Sequence, residues 1–210
     1  GSRGMFELEP LVEVAGADGL RRGFARISAE DVPGLVPALR AEAPHPKAVG
    51  IVDEIPFLRR QTRLTFARCG LVDPLSSSDY AAHGGWRGLA RARALGPAGV
   101  VDAVSRSGLR GRGGAGFPAG IKWNTVREAV SDRKYVVCNA DEGDSGTFAD
   151  RMLMEGDPFL LIEGMAIAAL AVGASSGFVY VRSEYPHAIR TLRAAIEEAR
   201  GAGMLEGFDL

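Results

Sequence analysis

Glycines and cations alternate over residues 108–123, which read GLRGRGGAGFPAGIKW. Because glycine lacks a Cβ, the backbone N–H groups of such a segment can approach an anion or a flat ring closely. Arg110, Arg112 and Lys122 add positive charge that suits a phosphate group, and Phe117 offers a ring face for stacking. A flexible surface loop is the alternative interpretation, but flexible linkers are rich in Gly and Ser, whereas this segment ends in apolar and aromatic residues.

The glycine spacing alone does not identify a known nucleotide-binding loop. Gly111, Gly113 and Gly116 form a GxGxxG pattern, which in a dinucleotide-binding βαβ unit comes after a strand and opens a helix. Here a predicted helix precedes the pattern, and Pro118 interrupts the position where the helix should open. A P-loop is excluded because no GKS or GKT is present. The segment therefore predicts close backbone contact with an anion or a ring in another arrangement.

Acidic residues cluster in a second segment, NADEGDSGTF at 139–148, directly after a predicted buried strand. Asp141, Glu142 and Asp144 are hard oxygen donors that could bind a metal ion, although the spacing of a calcium loop is absent. A polar grip on a heterocycle is the second interpretation, in which Asn139 contacts ring edges and carboxylates contact ribose hydroxyls. A charged surface turn is the third.

A third segment, Arg182-Ser183-Glu184, comes after the next predicted strand. Right-handed βαβ connection makes the two strands adjacent and parallel. Glu184 is then expected at the same edge of the sheet as Asp141 and Glu142, where ligands of parallel α/β sheets collect. Taken alone, Glu184 is equally consistent with an ordinary surface position.

The elements that position these loops are predicted from apolar runs and from helix start and stop signals. Strand, helix, strand and helix succeed one another after residue 133, which predicts an α/β fold with a parallel sheet. Asp157 stands at the N-cap position of the first of these helices. The predicted elements are a strand over 134–138, helices over 97–107, 124–131, 158–172 and 186–200, and a strand over 178–181. In the small α/β segment 5–50, we predict strands near 8–14 and 48–53 and a helix over 32–39.

Composition excludes several classes of protein. The 210 residues are 46% hydrophobic and 24% charged, with a formal net charge of -1, so neither global disorder nor general attraction to nucleic acid is expected. Cys69 and Cys138 form no CxxC pair and cannot supply an iron–sulfur or structural zinc site alone. We expect a reducing cytoplasm, because no disulfide framework is indicated. No apolar run reaches the roughly 20 residues of a membrane helix, and residues 1–4 do not resemble a signal peptide.

Together, the three segments resemble the flavin-binding subunit of NAD-linked multisubunit oxidoreductases, a family that includes respiratory NADH dehydrogenase, NAD-reducing hydrogenase and NAD-dependent formate dehydrogenase. The resemblance rests on GRGGAGFPAGIKW at 111–123, NADEGDSGTF at 139–148 and YVRSEYP at 180–186. Residues 139–159 and 60–70 are similar to the beta subunit of soluble formate dehydrogenases that contain molybdenum or tungsten.

The resemblance implies an electron-transfer flavoprotein that binds FMN and NAD. Hydride would pass between NAD(H) and FMN, and electrons would pass to or from iron–sulfur clusters, with a 4Fe-4S cluster expected only in a C-terminal part that this chain lacks. The implied fold is a partial thioredoxin-like α/β segment at 5–50, a basic linker at 51–95, and the N-terminal half of a Rossmann-like FMN-binding domain at 96–210. We expect an N-terminal fragment that is inactive alone.

The resemblance also implies partners and a location. The expected partners are a cluster-bearing thioredoxin-like gamma subunit and a catalytic alpha subunit that contains molybdenum or tungsten. Neither nucleic acid nor membrane insertion is expected, and the location is cytoplasmic.

The family pattern implies a pocket between the glycine-rich segment and the two strand ends. Glu142 is implied as the catalytic residue beside the nicotinamide, Phe117 as a stacking partner of adenine, and Asp144 as a ribose contact. Relatives commonly have Glu at the position of Asp144 and Gly at the position of Ser183. The full set of implied cofactor-binding residues is Gly111, Arg112, Gly113, Gly114, Phe117, Lys122, Asn139, Asp141, Glu142, Asp144, Tyr180, Ser183 and Glu184.

Two other functions remain open at this point. The chain could be a nucleotide-binding or subunit-docking module without activity of its own. It could equally be the corresponding subunit of a respiratory NADH dehydrogenase or an NAD-reducing hydrogenase. Bound flavin and NADH oxidation distinguish the flavoprotein from the docking module.

Overall fold

The computed structural model describes residues 2–41 and 43–210. These residues form two compact units, one at 2–67 and the other at 68–210. In both units, no helix among the described residues is long and apolar enough to cross a bilayer.

The unit at 2–67 contains a three-stranded antiparallel sheet. Its strands are β1 (Val12–Ala15), β2 (Arg21–Phe24) and β3 (Ala48–Ile51), in the order β1-β2-β3. Helices α1 (Val32–Arg40) and α2 (Pro56–Arg59) complete the unit. The predicted strand, helix and strand are therefore present, and β2 is an additional strand that the sequence pattern did not indicate.

Helix α1 begins after Asp31, as the sequence predicts, but the Asp31 side chain does not cap it. The Asp31 carboxylate accepts hydrogen bonds from the Ser28 amide and hydroxyl, both at 2.7 Å, and from Lys47 Nζ at 2.6 Å. These bonds, with Lys47 first, lower the pKa of Asp31. The carboxylate thus ties the start of α1 to the segment before β3.

The unit at 68–210 is a layered α/β structure. Its strands β4 (Tyr135–Ala140) and β5 (Ser176–Val181) pair in parallel, which confirms the predicted α/β class. Its helices are α3 (Ser77–Ala82), α4 (Arg87–Ser107), α5 (Ala119–Glu128), α6 (Ala149–Gly156), α7 (Pro158–Val172) and α8 (Pro186–Gly201). The backbone of α4 is interrupted at Gly96, with φ 69° and ψ 170°, so a helical segment starts at Pro97 as predicted.

Helix α7 lies at the centre of this unit, in contact with α4, α5, α8 and both strands. Most of its residues are apolar because neighbouring elements cover most of its surface. Three rings fill the core beside it: Tyr80 and Trp86 have centroids 5.2 Å apart, and both lie within 6 Å of Phe159.

Two buried carboxylates lie in this core. Glu163, in the middle of α7, accepts hydrogen bonds from the backbone amides of Trp86 and Leu89 at 3.0 and 2.8 Å, and from the Tyr80 hydroxyl. Asp157 occupies the N-cap position of α7, as predicted, but its side chain makes no capping bond. Instead, its Oδ2 accepts a hydrogen bond from Arg68 Nε at 2.9 Å.

The β4–β5 sheet is covered on one face only. The other face exposes Tyr135 and Val137 from β4 and Phe178 and Tyr180 from β5. On the far side of β5, the Gly177 amide donates to the Asp209 carbonyl at 2.7 Å. Residues at 209 therefore pair with the beginning of β5.

Candidate functional site

The parallel pairing of β4 and β5 brings two acidic loops to one edge of the sheet. Asn139 is paired with Tyr180 and Ala140 with Val181. The loops after these strands, 141–148 and 182–185, therefore leave the sheet side by side. This arrangement confirms the predicted adjacency of the two strand ends.

Glu142 is fixed at both its backbone and its side chain. Its φ is +46°, a left-handed value that is uncommon for a non-glycine residue. The Glu142 carbonyl accepts a hydrogen bond from Arg182 Nη1 at 2.9 Å. Its carboxylate accepts from the amides of Asp150 and Arg151 at 3.1 and 2.9 Å, at the first turn of α6, where a negative charge is favourable.

Glu184 lies on the other side of Arg182. Arg182 Nη2 donates to Glu184 Oε1 at 3.2 Å, and the Ser183 hydroxyl donates to Glu184 Oε2 at 3.2 Å. The Arg182 hydrogen bond is the main cause of a lowered pKa for Glu184. Arg182 thus connects the two acidic strand ends, which the sequence placed together without identifying the residue that joins them.

Tyr185 is a buried member of the site that the sequence analysis did not select. Two guanidinium groups lie over its ring, with Arg182 Cζ 5.3 Å and Arg151 Cζ 5.6 Å from the centroid. Burial, followed by the negative charge of Glu142, raises the pKa of the Tyr185 hydroxyl. Its position directly before Pro186, where α8 begins, is the sequence feature that could have indicated Tyr185.

The remaining predicted residues of the strand ends are exposed, except for Asp141, which is half-buried. The Asn139 side-chain oxygen accepts a hydrogen bond from the Asp141 amide at 3.2 Å, which shapes the start of the loop. The Asp144 and Tyr180 side chains face solvent. Both are accessible to a ligand.

The glycine-rich segment forms a loop that is closed at its base. The Gly111 amide donates to the Phe117 carbonyl at 2.8 Å, and Arg110 Nη1 donates to the Gly116 carbonyl at 2.9 Å. Within the part of the chain that the structure describes, the amides of residues 112–116 donate no hydrogen bond. Gly114 has φ +104°, so this turn requires glycine.

Cationic and aromatic side chains flank this loop. Arg112 and Lys122 are exposed, and Phe117 is half-exposed, whereas the Arg110 guanidinium holds the loop closed. No hydrogen bond or ion pair among residues 2–41 and 43–210 joins the loop to Asn139, Asp141, Glu142, Asp144, Tyr180, Ser183 or Glu184. The structure thus brings the two strand ends into direct contact, while the glycine-rich loop is a separate part of the predicted pocket.

Metal binding by the acidic loop gains no support from the geometry. In the described residues, no group of three or more His, Cys, Asp or Glu side chains is arranged to hold a metal ion. The Glu142 carboxylate binds backbone amides, and Asp141 and Asp144 do not converge with it on a common point.

This chain is similar to known proteins in both sequence and fold. The model of the Nuo51 FMN-binding domain family matches residues 104–208, which include the glycine-rich loop and both strand ends. The NADP-reducing hydrogenase subunit HndC of Solidesulfovibrio fructosivorans is 52% identical over 157 residues, covering 72% of this chain and 32% of that protein. An NADH-quinone oxidoreductase subunit of Escherichia coli (strain K12) is 43% identical over 144 residues, covering 65% of this chain and 32% of that protein.

A solved structure is similar over most of the chain. The crystal structure of an NAD+-reducing [NiFe]-hydrogenase in its air-oxidised state superposes with a TM-score of 0.55 and 29% identity, covering 90% of this chain and 31% of that chain. The present chain spans about a third of the length of the curated relatives it matches. The family match and the structural similarity support a Rossmann-like FMN-binding fold, as the sequence predicts. The chain belongs to the Nuo51 FMN-binding domain family.

Proposed function

We propose that this chain forms the FMN- and NAD-contacting part of an NADH-oxidising flavin subunit. The observation that carries the proposal is the family match over residues 104–208, which coincides with the loop and strand ends described above. Hydride transfer between NAD(H) and FMN, followed by electron transfer to or from iron–sulfur clusters, is the reaction we assign to the complete assembly.

The described residues fit a flavin mononucleotide at both ends of such a ligand. The free amides of residues 112–116, beside the Arg112 and Lys122 cations, suit a phosphate. A Cβ built on Gly113 or Gly114 would meet no atom within 4 Å, so space for a ligand exists above this backbone. The exposed Asn139 and Tyr180 side chains offer hydrogen bonds and a ring face to a flat heterocycle.

The residues divide into three proposed roles. Gly111, Arg112, Gly113, Gly114 and Lys122 hold the phosphate and ribityl end and supply positive charge. Asn139, Asp141, Tyr180, Ser183 and Glu184 bind the ring edge. Phe117 and Asp144 contact the adenine and ribose of NAD. FMN, when bound, supplies the hydride and single-electron chemistry.

Glu142 is the residue that we place nearest the nicotinamide. Each oxygen of its carboxylate accepts one hydrogen bond from α6. The Tyr185 hydroxyl also hydrogen-bonds this carboxylate, and because a carboxylate has about four acceptor sites in all, about one site remains for a ligand. Its position is therefore set before the ligand arrives.

The finer assignment is a formate-linked enzyme in the cytoplasm. The spelling of residues 139–159 and 60–70 supports a formate dehydrogenase beta subunit, with a thioredoxin-like gamma subunit and a molybdenum- or tungsten-containing alpha subunit as partners. The names of the relatives favour a second candidate, the equivalent subunit of an NADH-quinone oxidoreductase or an NAD(P)-reducing hydrogenase.

Purification of the native complex tests the proposal. We expect the wild-type complex to release FMN on denaturation and to reduce ferricyanide with NADH. Gly114→Ala forces a side chain into a left-handed backbone, at a cost of about 1–2 kcal/mol, and should weaken FMN binding about tenfold. Gly203→Ala, at φ +72° outside the site, is the matched control. A wild-type complex without FMN and without NADH oxidation would overturn the proposal.

A further inference from the structure

The loop after β4 adopts a backbone conformation that needs external support. Glu142 and Phe148, at its two ends, have φ of +46° and +51°. Left-handed backbone at non-glycine residues costs about 1–3 kcal/mol each and persists only where neighbouring structure enforces it. The loop between them, 143–147, is exposed, so the support must come from contacts at its ends.

Arg182 supplies the contact from β5. Its Nη1 holds the Glu142 carbonyl at 2.9 Å, and its Nη2 holds Glu184 at 3.2 Å. The guanidinium lies over the Tyr185 ring, and Nε is buried without a hydrogen-bond partner among the described residues. The orientation of the guanidinium is therefore set by these two bonds and this ring.

The charge of Arg182 also matters for this geometry. Three carboxylates, Asp141, Glu142 and Glu184, lie near the two strand ends, and like charges at close range repel one another. The negative charges of Glu184 and Asp141 both act on Arg182. One cation between the two acidic loops offsets this repulsion and allows them to stay close.

We infer that Arg182 is a positioning residue that clamps the Glu142 loop to the Glu184 turn and so fixes the strand-end side of the ligand site. The inference rests on the proposed function, because the site is the one that binds FMN and NAD. Arg182 touches neither the hydride donor nor the acceptor in this scheme. Its loss should therefore change ligand affinity and loop order more than the rate of the chemical step.

Three variants of the native complex test this inference. Arg182→Gln removes the charge and one of the two bridging nitrogens. Arg182→Lys keeps the charge but has a single ammonium group, which cannot reproduce a planar two-nitrogen bridge. Arg190→Gln, exposed on α8, is the control. The measurements are the KM and kcat for NADH with ferricyanide, the FMN content, the thermal midpoint, and amide hydrogen exchange over residues 141–148.

We expect Arg182→Gln to raise the KM for NADH about tenfold with kcat within twofold, and to accelerate exchange in the loop about tenfold. Arg182→Lys should lie between Arg182→Gln and wild type, and Arg190→Gln should match wild type. If Arg182→Gln does not fold, Arg182→Lys decides on the same readouts.

Two results would overturn the clamp. One is unchanged hydrogen exchange over 141–148. The other is accelerated exchange with KM and FMN content unaltered, which would make Arg182 merely structural. Absence of FMN and NADH oxidation in the wild type would instead refute the proposed function, and hydrogen exchange would still decide whether Arg182 orders the loop.

Discussion

Glu163 stabilises the larger unit by capping a helix other than its own. Its carboxylate, 5% exposed in the middle of α7, accepts the amides of Trp86 and Leu89 at the beginning of α4. These amides have no partner within α4 because the first turn of a helix lacks preceding carbonyls. The Tyr80 hydroxyl donates a hydrogen bond to the same carboxylate. Burial is the main cause of a raised pKa for Tyr80, and this hydrogen bond is the second cause.

The cost of removing this carboxylate depends on the donors it leaves. A buried donor without an acceptor costs about 1–3 kcal/mol. Glu163→Gln keeps one acceptor oxygen and the side-chain volume, so we expect about 2 kcal/mol of destabilisation. Glu163→Ala leaves three donors unpaired and a cavity, and we expect about 4 kcal/mol, since relaxation and water entry reduce the simple sum.

Urea unfolding, monitored by tryptophan fluorescence, measures these differences, because Trp86 is buried beside Glu163. The control is Glu197→Gln, an exposed ion-pair partner of Arg200 on α8, which should change the free energy of unfolding by less than about 0.5 kcal/mol. Equal slopes in urea are required for the comparison. A Glu163→Gln protein as stable as wild type would refute the capping argument.

Two further predictions concern packing and pH. Gly120→Ala should lower the free energy of unfolding by about 1–3 kcal/mol, because the new Cβ would lie 2.6 Å from the Ser105 Cα. Gly164→Ala should raise it by up to about 1 kcal/mol, because a Cβ at this position of α7 meets no other atom within 4 Å. Urea unfolding measures both changes, and a change of the same sign in the two variants would contradict the close-contact argument. Burial raises the pKa of Asp157 above its ordinary 3.8, so the folded state binds a proton at this carboxyl more tightly than the unfolded state does. The free energy of unfolding of the wild type should therefore fall as pH rises from about 4 through the folded-state pKa. Asp157→Asn should lack this fall, as thermal midpoints measured from pH 4 to 8 can show; a constant difference between the two proteins over that range would contradict it.

Local sequence signals predicted α7, α8 and the second part of α4, whereas α3 and α6 were not predicted and α5 begins at Ala119 instead of residue 124. Helix α7 was predicted with its observed bounds, because Asp157-Pro158 marks its start, Gly173 its end, and every position between suits a buried helix. The parallel pairing of β4 and β5 was expected from the chirality of βαβ connections, and it placed Glu142 and Glu184 at one edge.

The hydrogen-bond and ion-pair partners of the polar side chains could not be predicted from local sequence. Asp157 has the residue type and position of an N-cap, but its side chain forms an ion pair with Arg68, which is remote in sequence. Glu142 was predicted as a ligand contact, but its hydrogen bonds to α6 were not predicted. They depend on a left-handed backbone at Glu142, and a non-glycine residue gives no sequence signal of that conformation. Strand β2 was missed because its RRGF sequence lacks apolar alternation.

The uncovered face of the β4–β5 sheet has a practical consequence for handling this polypeptide. Tyr135, Val137, Phe178 and Tyr180 form a contiguous aromatic and aliphatic surface on strands whose outer edge at β4 is unpaired among the described residues. Such a surface binds hydrophobic dyes and favours self-association when the protein is concentrated. Solubility should therefore depend on what shields these four side chains, and a charged substitution such as Val137→Lys should keep the isolated polypeptide monodisperse.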